Sequence, residues 1–314
     1  MAFKQVLELF ELLDSAYVNG AVVKNYLSEK GHGNIEVETV QGEAGKTDFI
    51  KIVIPGKTGK LAGGTSPTLG IIGRLGGLGA RPAVTGFVSD GDGALAALAA
   101  AAKLLDMQER GDVLAGDVII CTHICPDAPT MPHEPVPFMG SPVDISTMNK
   151  YEVDPAMDAI ISIDTTKGNR IINRRGIAIS PTVKDGYILR VSEDLLDLLE
   201  IVTGEPPVTF PITMQDITPY GNGLFHLNSI LQPSVATTAP VVGLAITTTV
   251  AVPGCASGAT HLDDVEKAAK FSIEAAKDFG AGKARFYDHD EFERMVQLYG
   301  SMSHLRGFGV HSQA

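Results

Sequence analysis

The chain contains few cysteines and no closely paired ones. Three cysteines stand among 314 residues, an odd number, and none of them forms a CxxC motif. This usage excludes a disulfide-stabilised small domain and is typical of a reducing compartment. The sequence therefore predicts a cytoplasmic protein.

Positive charge is scarce as well. Lys and Arg number 25 against 37 Asp and Glu, which gives a net charge of −12. Nucleic-acid binding depends on clustered Lys and Arg, so nucleic acid is not expected as the main partner. No apolar run reaches the roughly 18 residues of a transmembrane helix, and the acid-bearing amphipathic start does not resemble a signal peptide. We expect no membrane partner.

The composition that is present is typical of a globular α/β protein. Hydrophobic residues make up 44% and charged residues 20% of the chain. Near-continuous apolar runs at 69–73, 117–122, 159–164 and 241–249 alternate with helical patterns, the longest at 94–105. Buried strands of this kind are typical of parallel sheets covered on both faces. The sequence predicts a three-layer α/β/α sandwich with a mostly parallel mixed sheet. Residues 1–314 show no linker-like shift, so we expect a single domain.

Acidic residues stand at the ends of two predicted elements. Asp90 and Asp92 lie between glycines before the helix at 94–105, where a carboxylate serves either a functional site or a helix cap. Asp164 ends a buried strand and needs a partner, which is either a functional group or an ion pair with Lys167 or Arg170.

The segment after the strand at 117–122 is rich in chemically active side chains. His123 and Cys125 precede a proline-rich stretch at 126–142, and ligands of open α/β sheets bind at the carboxyl ends of strands. Imidazole and thiolate bind zinc, which makes this a candidate metal site. The alternative is a proline-stiffened loop whose histidines make ordinary hydrogen bonds.

A glycine-rich loop follows the strand at 69–73 and carries Arg74 and Arg81. Exposed main-chain N–H groups and two guanidinium groups are suited to a substrate carboxylate or phosphate, whereas close backbone packing is the alternative. His226 is a further candidate for substrate binding, with a plain helix-face histidine as its alternative. Thr260 and Asp263 resemble a capping box, which predicts that a helix begins after them.

The order of elements resembles the catalytic domain of the zinc-dependent aminopeptidases, co-catalytic metallopeptidases, over most of the chain. Asp90-Gly-Asp-Gly93 before an Ala/Leu helix resembles the family segment with the bridging aspartate, and Ser162-Ile-Asp164 resembles the strand with the third acidic ligand. Arg74, Cys125 and Gly254 stand at or near the other ligand positions, so most metal ligands are replaced. The family's inserted small domain is not apparent. More closely, the chain resembles a bacterial family known only as a domain of unknown function.

The resemblance and the residues together predict a small-molecule hydrolase that cleaves an amide or another C–N bond. Asp90, His123 and Asp164, with Cys125 or Cys255, are the candidate catalytic residues. The first three are expected to hold one divalent metal, zinc or manganese, that activates water. One alternative is a metal-free enzyme that depends on Cys125 and Cys255. The other is a non-catalytic relative that binds a small ligand or a partner subunit. The resemblance also implies a homo-oligomer.

Overall fold

The computed structural model describes residues 1–74, 76–79, 86–132, 134, 137–212 and 229–306. The helices are α1 (Phe3–Leu13), α2 (Gly20–Ser28), α3 (Asp92–Glu109), α4 (Ile145–Glu152), α5 (Glu193–Thr203), α6 (Leu262–Gly280) and α7 (His289–Tyr299). The strands are β1 (Asn34–Gly42), β2 (Gly45–Ile54), β3 (Leu69–Gly73), β4 (Val118–Ile124), β5 (Thr130–Met131), β6 (Phe138–Met139), β7 (Ala159–Thr166), β8 (Gly176–Ile179), β9 (Val183–Lys184), β10 (Tyr187–Ile188) and β11 (Val241–Thr247).

A nine-stranded mixed sheet forms the middle of the molecule. Its strand order is β1-β2-β4-β3-β7-β11-β9-β10, and β8 also pairs with β11. Among the described residues, the central strands β4, β3, β7 and β11 run parallel to one another, while the outer pairs are antiparallel. The α/β class is confirmed. The parallel portion is smaller than expected because hairpin-like connections build both sides of the sheet.

Helices cover both faces of this sheet. The largest apolar cluster joins one face to residues of α1, α2, α3, α5 and α6, and a second cluster on the other face includes residues of the 3₁₀ helix Ser229–Val235. Helix α4 packs against that 3₁₀ helix and against β4. The alanines of α3 let the helix approach closely: a Cβ on Gly73 of β3 would lie 2.7 Å from Cβ of Ala97. The close contact between α3 and β3 therefore requires small residues at these positions.

The helix caps agree with the sequence at some positions and differ at others. Ser192 caps α5 by accepting a hydrogen bond from the main-chain N–H of Leu195, as the sequence indicates. The capping box at Thr260 is wrong, because α6 begins at Leu262 without a side-chain cap. The Thr260 hydroxyl instead donates to Asp92 at 2.7 Å. The carboxylates of Asp90 and Asp92 do not cap α3 either.

No helix in the part of the chain that the structure describes has the length and apolar character needed to cross a bilayer.

Candidate active site

Three of the predicted site residues converge at the carboxyl edge of the parallel strands. His123 and Cys125 come from the end of β4, and Asp90 from the turn that leads into α3. All three line one small cavity of about 10 Å³ that is partly open to solvent. The other described residues around it are Gly77, Ala128, Met139, Gly140, Ser141 and Pro142.

Asp90 is partly buried and held by the segment at Gly254. Its main-chain N–H donates to the Gly254 carbonyl at 3.1 Å, and its carboxylate packs directly against the Gly254 α-carbon, so that any side chain there would overlap it. Burial raises the pKa of Asp90 to about 6, although the Lys167 ammonium and a main-chain hydrogen bond from Met139 act in the opposite direction. A carboxyl group with this pKa exchanges protons near neutrality, as acid–base catalysis requires.

The imidazole of His123 is oriented by a glutamate that the sequence does not single out. Its Nδ1 lies 2.5 Å from Oε1 of Glu152, and the main-chain N–H of Gly76 donates to its Nε2 at 3.3 Å. Since Nε2 accepts, the ring proton lies on Nδ1 and is donated to Glu152. Glu152 ends α4, which begins where Asp144 accepts a hydrogen bond from Thr147 N–H at 2.7 Å.

Arg74, predicted to bind a substrate carboxylate, faces the interior. Its side chain is fully buried, its Nε lies 3.0 Å from Oε2 of Glu152, and its Nη2 donates to Asn149. A guanidinium in this position is the counter-charge of the buried Glu152 carboxylate beside His123. The other two predicted substrate-binding residues, Arg81 and His226, lie outside the described residues.

Both candidate cysteines at this edge are buried thiols. Cys125 and Cys255 belong to one small apolar cluster with Met139. Burial raises the pKa of Cys125 to about 11 and also raises the pKa of Cys255. Each is therefore a neutral thiol at neutral pH. Cys121 lies within β4 and is a core residue.

Asp164 is buried beside the site rather than among the described residues that line the cavity. Its carboxylate accepts hydrogen bonds from the main-chain N–H of Thr165 at 2.7 Å and from the Ser229 hydroxyl at 3.4 Å. Thr165, the next residue, donates to the carbonyl of Ser89 at 2.9 Å. This bond ties the end of β7 to the turn that carries Asp90.

Asp92 forms a second acidic centre next to Asp90. Its carboxylate accepts from Thr260, and the Lys167 ammonium lies 3.9 Å from its other oxygen. Burial raises the pKa of Asp92 to about 7, against the opposing effect of Lys167. Lys167, which the sequence offered as an ion-pair partner for Asp164, therefore lies beside Asp92 instead.

Residues 38–309 match a family model described as "Protein of unknown function (DUF1177)". The chain belongs to this family. No curated protein matches the chain significantly. Among solved structures, a mutant tomato leucine aminopeptidase is similar, with a TM-score of 0.53 and 13% identity over 86% of this chain. That match covers 61% of the tomato protein, so this chain spans about three fifths of its length.

Two further aminopeptidase structures are similar over more of this DUF1177 chain. The LapA aminopeptidase of Legionella pneumophila has a TM-score of 0.46 and 11% identity, with 90% of this chain and 69% of that chain covered. A TET aminopeptidase from the marine sediment archaeon Thaumarchaeota archaeon SCGC AB-539-E09 has the same score and identity, with 90% of this chain and 100% of that chain covered. The similarity to the tomato enzyme supports the assignment of an aminopeptidase-like fold.

The aminopeptidase-like fold implies a metal centre, and the described donors of this DUF1177 chain do not fit one. Within the described ranges, no group of three or more His, Cys, Asp or Glu side chains is arranged to hold a metal ion. His123 has both ring nitrogens engaged by protein groups. With these contacts the described side chains of Asp90, His123 and Asp164 are not arranged as a metal site, and the predicted zinc or manganese ion is not confirmed.

The described part of the glycine-rich loop is used for close backbone packing. Residues 76–79 run alongside the end of β4: Cys125 N–H donates to the Gly76 carbonyl at 2.8 Å, and Leu78 N–H donates to the Cys125 carbonyl at 3.0 Å. A Cβ on Gly76 would overlap the main-chain carbonyl of His123. The loop therefore shapes the cavity wall through its lack of side chains.

We expect Gly76→Ala to lower the free energy of unfolding by about 3 kcal/mol or more, because the added carbon meets rigid strand backbone. Urea denaturation measures the loss. Gly140→Ala is the control: Gly140 lines the cavity that the loop reaches at Gly77, but the nearest atom to its new carbon would be a Pro129 side-chain carbon at 3.3 Å. The control should lose less than about 1 kcal/mol. Equal losses would contradict the packing argument.

Proposed function

We propose that the protein hydrolyses an amide or another C–N bond of a small molecule bound in the edge cavity. The observation that carries this proposal is the convergence of Asp90, His123 and Cys125 on one cavity at the carboxyl edge of parallel strands. An aminopeptidase-like fold supports the same class of reaction by analogy only.

Asp90 is the proposed general base. At neutral pH its carboxylate is mostly ionised, yet a pKa of about 6 leaves it basic enough to accept a proton from water. The hydroxide so formed adds to the carbonyl carbon, the C–N bond breaks, and protonated Asp90 returns the proton to the leaving nitrogen. His123 forms part of the cavity wall beside Asp90, and Glu152 fixes the orientation of its ring.

A second candidate is a cysteine-dependent hydrolase, because Cys125 lines the same cavity two residues after His123. Its thiol would attack the carbonyl carbon and pass its proton to Nε2 of His123. The amine would leave with that proton, and water would then hydrolyse the thioester. The raised pKa of Cys125 weighs against this route, since the thiol must lose its proton within the reaction step.

Turnover of a panel of acyl and aminoacyl amides, measured as ammonia or 4-nitroaniline release, tests the proposal. We expect wild-type turnover that persists after dialysis against EDTA and in Cys125→Ala. Loss of turnover in Cys125→Ala, with the fold intact, would instead support the cysteine route. Loss on EDTA treatment with recovery on added zinc would overturn the metal-free assignment. Ligand binding without turnover of any amide would identify a non-catalytic binding protein.

We also propose that the protein forms a homo-oligomer. Ile188 of β10 and Leu298 and Tyr299 of α7 are exposed apolar side chains on segments that the Tyr187 hydroxyl joins by donating to the Gly300 carbonyl. Exposed apolar side chains on adjoining segments suit a protein–protein interface. Light scattering should give a mass above the 33.1 kDa of one chain, and Leu298→Glu should reduce it. A 33.1 kDa particle for the wild type would contradict self-association.

A further inference from the structure

The edge cavity is smaller than any amide that the proposed reaction would take. Its volume of about 10 Å³ leaves room for about one water molecule. Even acetamide is larger than water, so it cannot enter while every side chain of the wall keeps its present place. A substrate therefore binds only if a side chain in the cavity wall moves aside.

Most of the described side chains in this wall have little freedom to move. The His123 ring has both nitrogens engaged by protein groups, and the Asp90 carboxylate packs against Gly254. Met139 differs from them, because its unbranched side chain has several rotatable bonds and adapts its shape readily. The other described wall residues have short or rigid side chains or none; they are Gly77, Cys125, Ala128, Gly140, Ser141 and Pro142.

Met139 fills the space between Asp90 and the glycine-rich loop. Its main-chain N–H donates to the Asp90 carboxylate, which places this residue beside the proposed base. Its side chain reaches the loop, since a Cβ on Gly77 would lie 2.6 Å from Cε of Met139 and 3.0 Å from its Sδ. Because Gly77 has no Cβ, the end of the thioether occupies that place. The side chain is buried in one apolar cluster with Cys125 and Ala128.

We propose that Met139 determines the length of the acyl group that the cavity accepts, because its side chain must give way to that group. This inference rests on the proposed function, since it takes an amide as the ligand of the cavity. A short acyl group displaces only the end of the thioether, whereas a longer one competes for all the space as far as Gly77. The displaced surface and its neighbours are apolar, so an unbranched apolar acyl group matches them.

The test measures the affinity of the full chain for acetamide and hexanamide by calorimetric titration, and kcat/KM for both by ammonia release. We expect the wild type to prefer acetamide. Met139→Ala removes Cγ, Sδ and Cε, and should raise the preference for hexanamide over acetamide by about 10-fold or more, since one methylene in an apolar pocket is worth roughly 10–200-fold. Met139→Val removes less and suits a strand, so it should fold and shift the same ratio by a smaller factor.

Met157→Ala is the matched control. Met157 is 3% exposed against 7% for Met139, and its side chain also packs against a glycine, Gly70 of β3, but it does not belong to the described cavity lining. The control should lower the Tm, as Met139→Ala does, and keep the wild-type preference between the two amides.

The outcomes separate this inference from the proposed function. An unchanged ratio in both Met139 variants, or an equal shift in Met157→Ala, would overturn the role of Met139 even if both amides are turned over. A shifted affinity ratio without turnover of either amide would contradict the proposed function alone. Neither binding nor turnover of either amide by any of these proteins would contradict both.

Discussion

Glu152→Ala is expected to lower the free energy of unfolding by about 3–5 kcal/mol, the cost of leaving a buried charge unpaired. Glu152 lies between two buried partners. Its Oε2 is 3.0 Å from Nε of the Arg74 guanidinium, and its Oε1 is 2.5 Å from Nδ1 of the His123 ring. Its removal leaves the guanidinium without water and without a counter-charge. Urea denaturation at pH 7 measures the loss, and the 15N resonances of His123 report whether its proton stays on Nδ1.

Two comparisons separate this explanation from a simple loss of contacts. Glu205→Ala breaks an Arg–Glu pair of similar length, 2.8 Å to Arg174, but in a half-exposed position, so it should cost far less stability than Glu152→Ala. The double variant Arg74→Met with Glu152→Leu removes both charges and should be more stable than Glu152→Ala. A double variant that is less stable would show that the unpaired guanidinium is not the cause.

The fold could be predicted to the extent that it depends on local pattern. The apolar run at 69–73 became β3 and the run at 159–164 became most of β7, because strands buried on both faces must be apolar throughout. The antiparallel pairing of the outer strands was harder to predict than the strands themselves. The short strand β9 pairs with one distant neighbour and one turn-linked neighbour, and two residues carry no periodic signal.

The site could be predicted where its residues stand at a strand end or at a helix start. His123 and Cys125 from the end of β4 converge with Asp90 from the turn before α3, because the carboxyl ends of parallel strands and the turns that follow them lie at one edge of the sheet. Glu152 was missed because it ends a helix, and nothing in its local sequence distinguishes it from a solvent-facing acid. The sequence identified Arg74 as a candidate site residue but did not predict that its side chain faces the interior. The burial of that side chain depends on the packing of α4 over it. Thr260 failed as a cap because α6 begins at Leu262, so that His261 rather than Thr260 stands at the cap position.

Asp90→Asn is expected to reduce kcat/KM on the best amide of the panel by about 10²–10⁴-fold, the usual contribution of a general base. The amide side chain keeps the shape of the carboxylate and cannot accept a proton. In the wild type, activity should rise with pH through about 6, the pKa of Asp90, because the base must be ionised. Retained turnover in Asp90→Asn would remove Asp90 from the mechanism.

Asp92→Asn is the matched control, since Asp92 is the neighbouring buried acid and does not belong to the described cavity lining. It should keep turnover and gain stability. Burial raises the pKa of Asp92 from 3.8 to about 7, so its protonated form favours the fold below about pH 4, and this contribution is lost as the pH rises through 7. Asparagine cannot ionise, so the advantage of the variant should be small at pH 4 and reach about 2–4 kcal/mol above pH 7, with Lys167 offsetting part of it. Denaturation curves across this range measure the difference. An advantage that shrinks as the pH rises would mean that Lys167 stabilises the Asp92 carboxylate more than burial destabilises it.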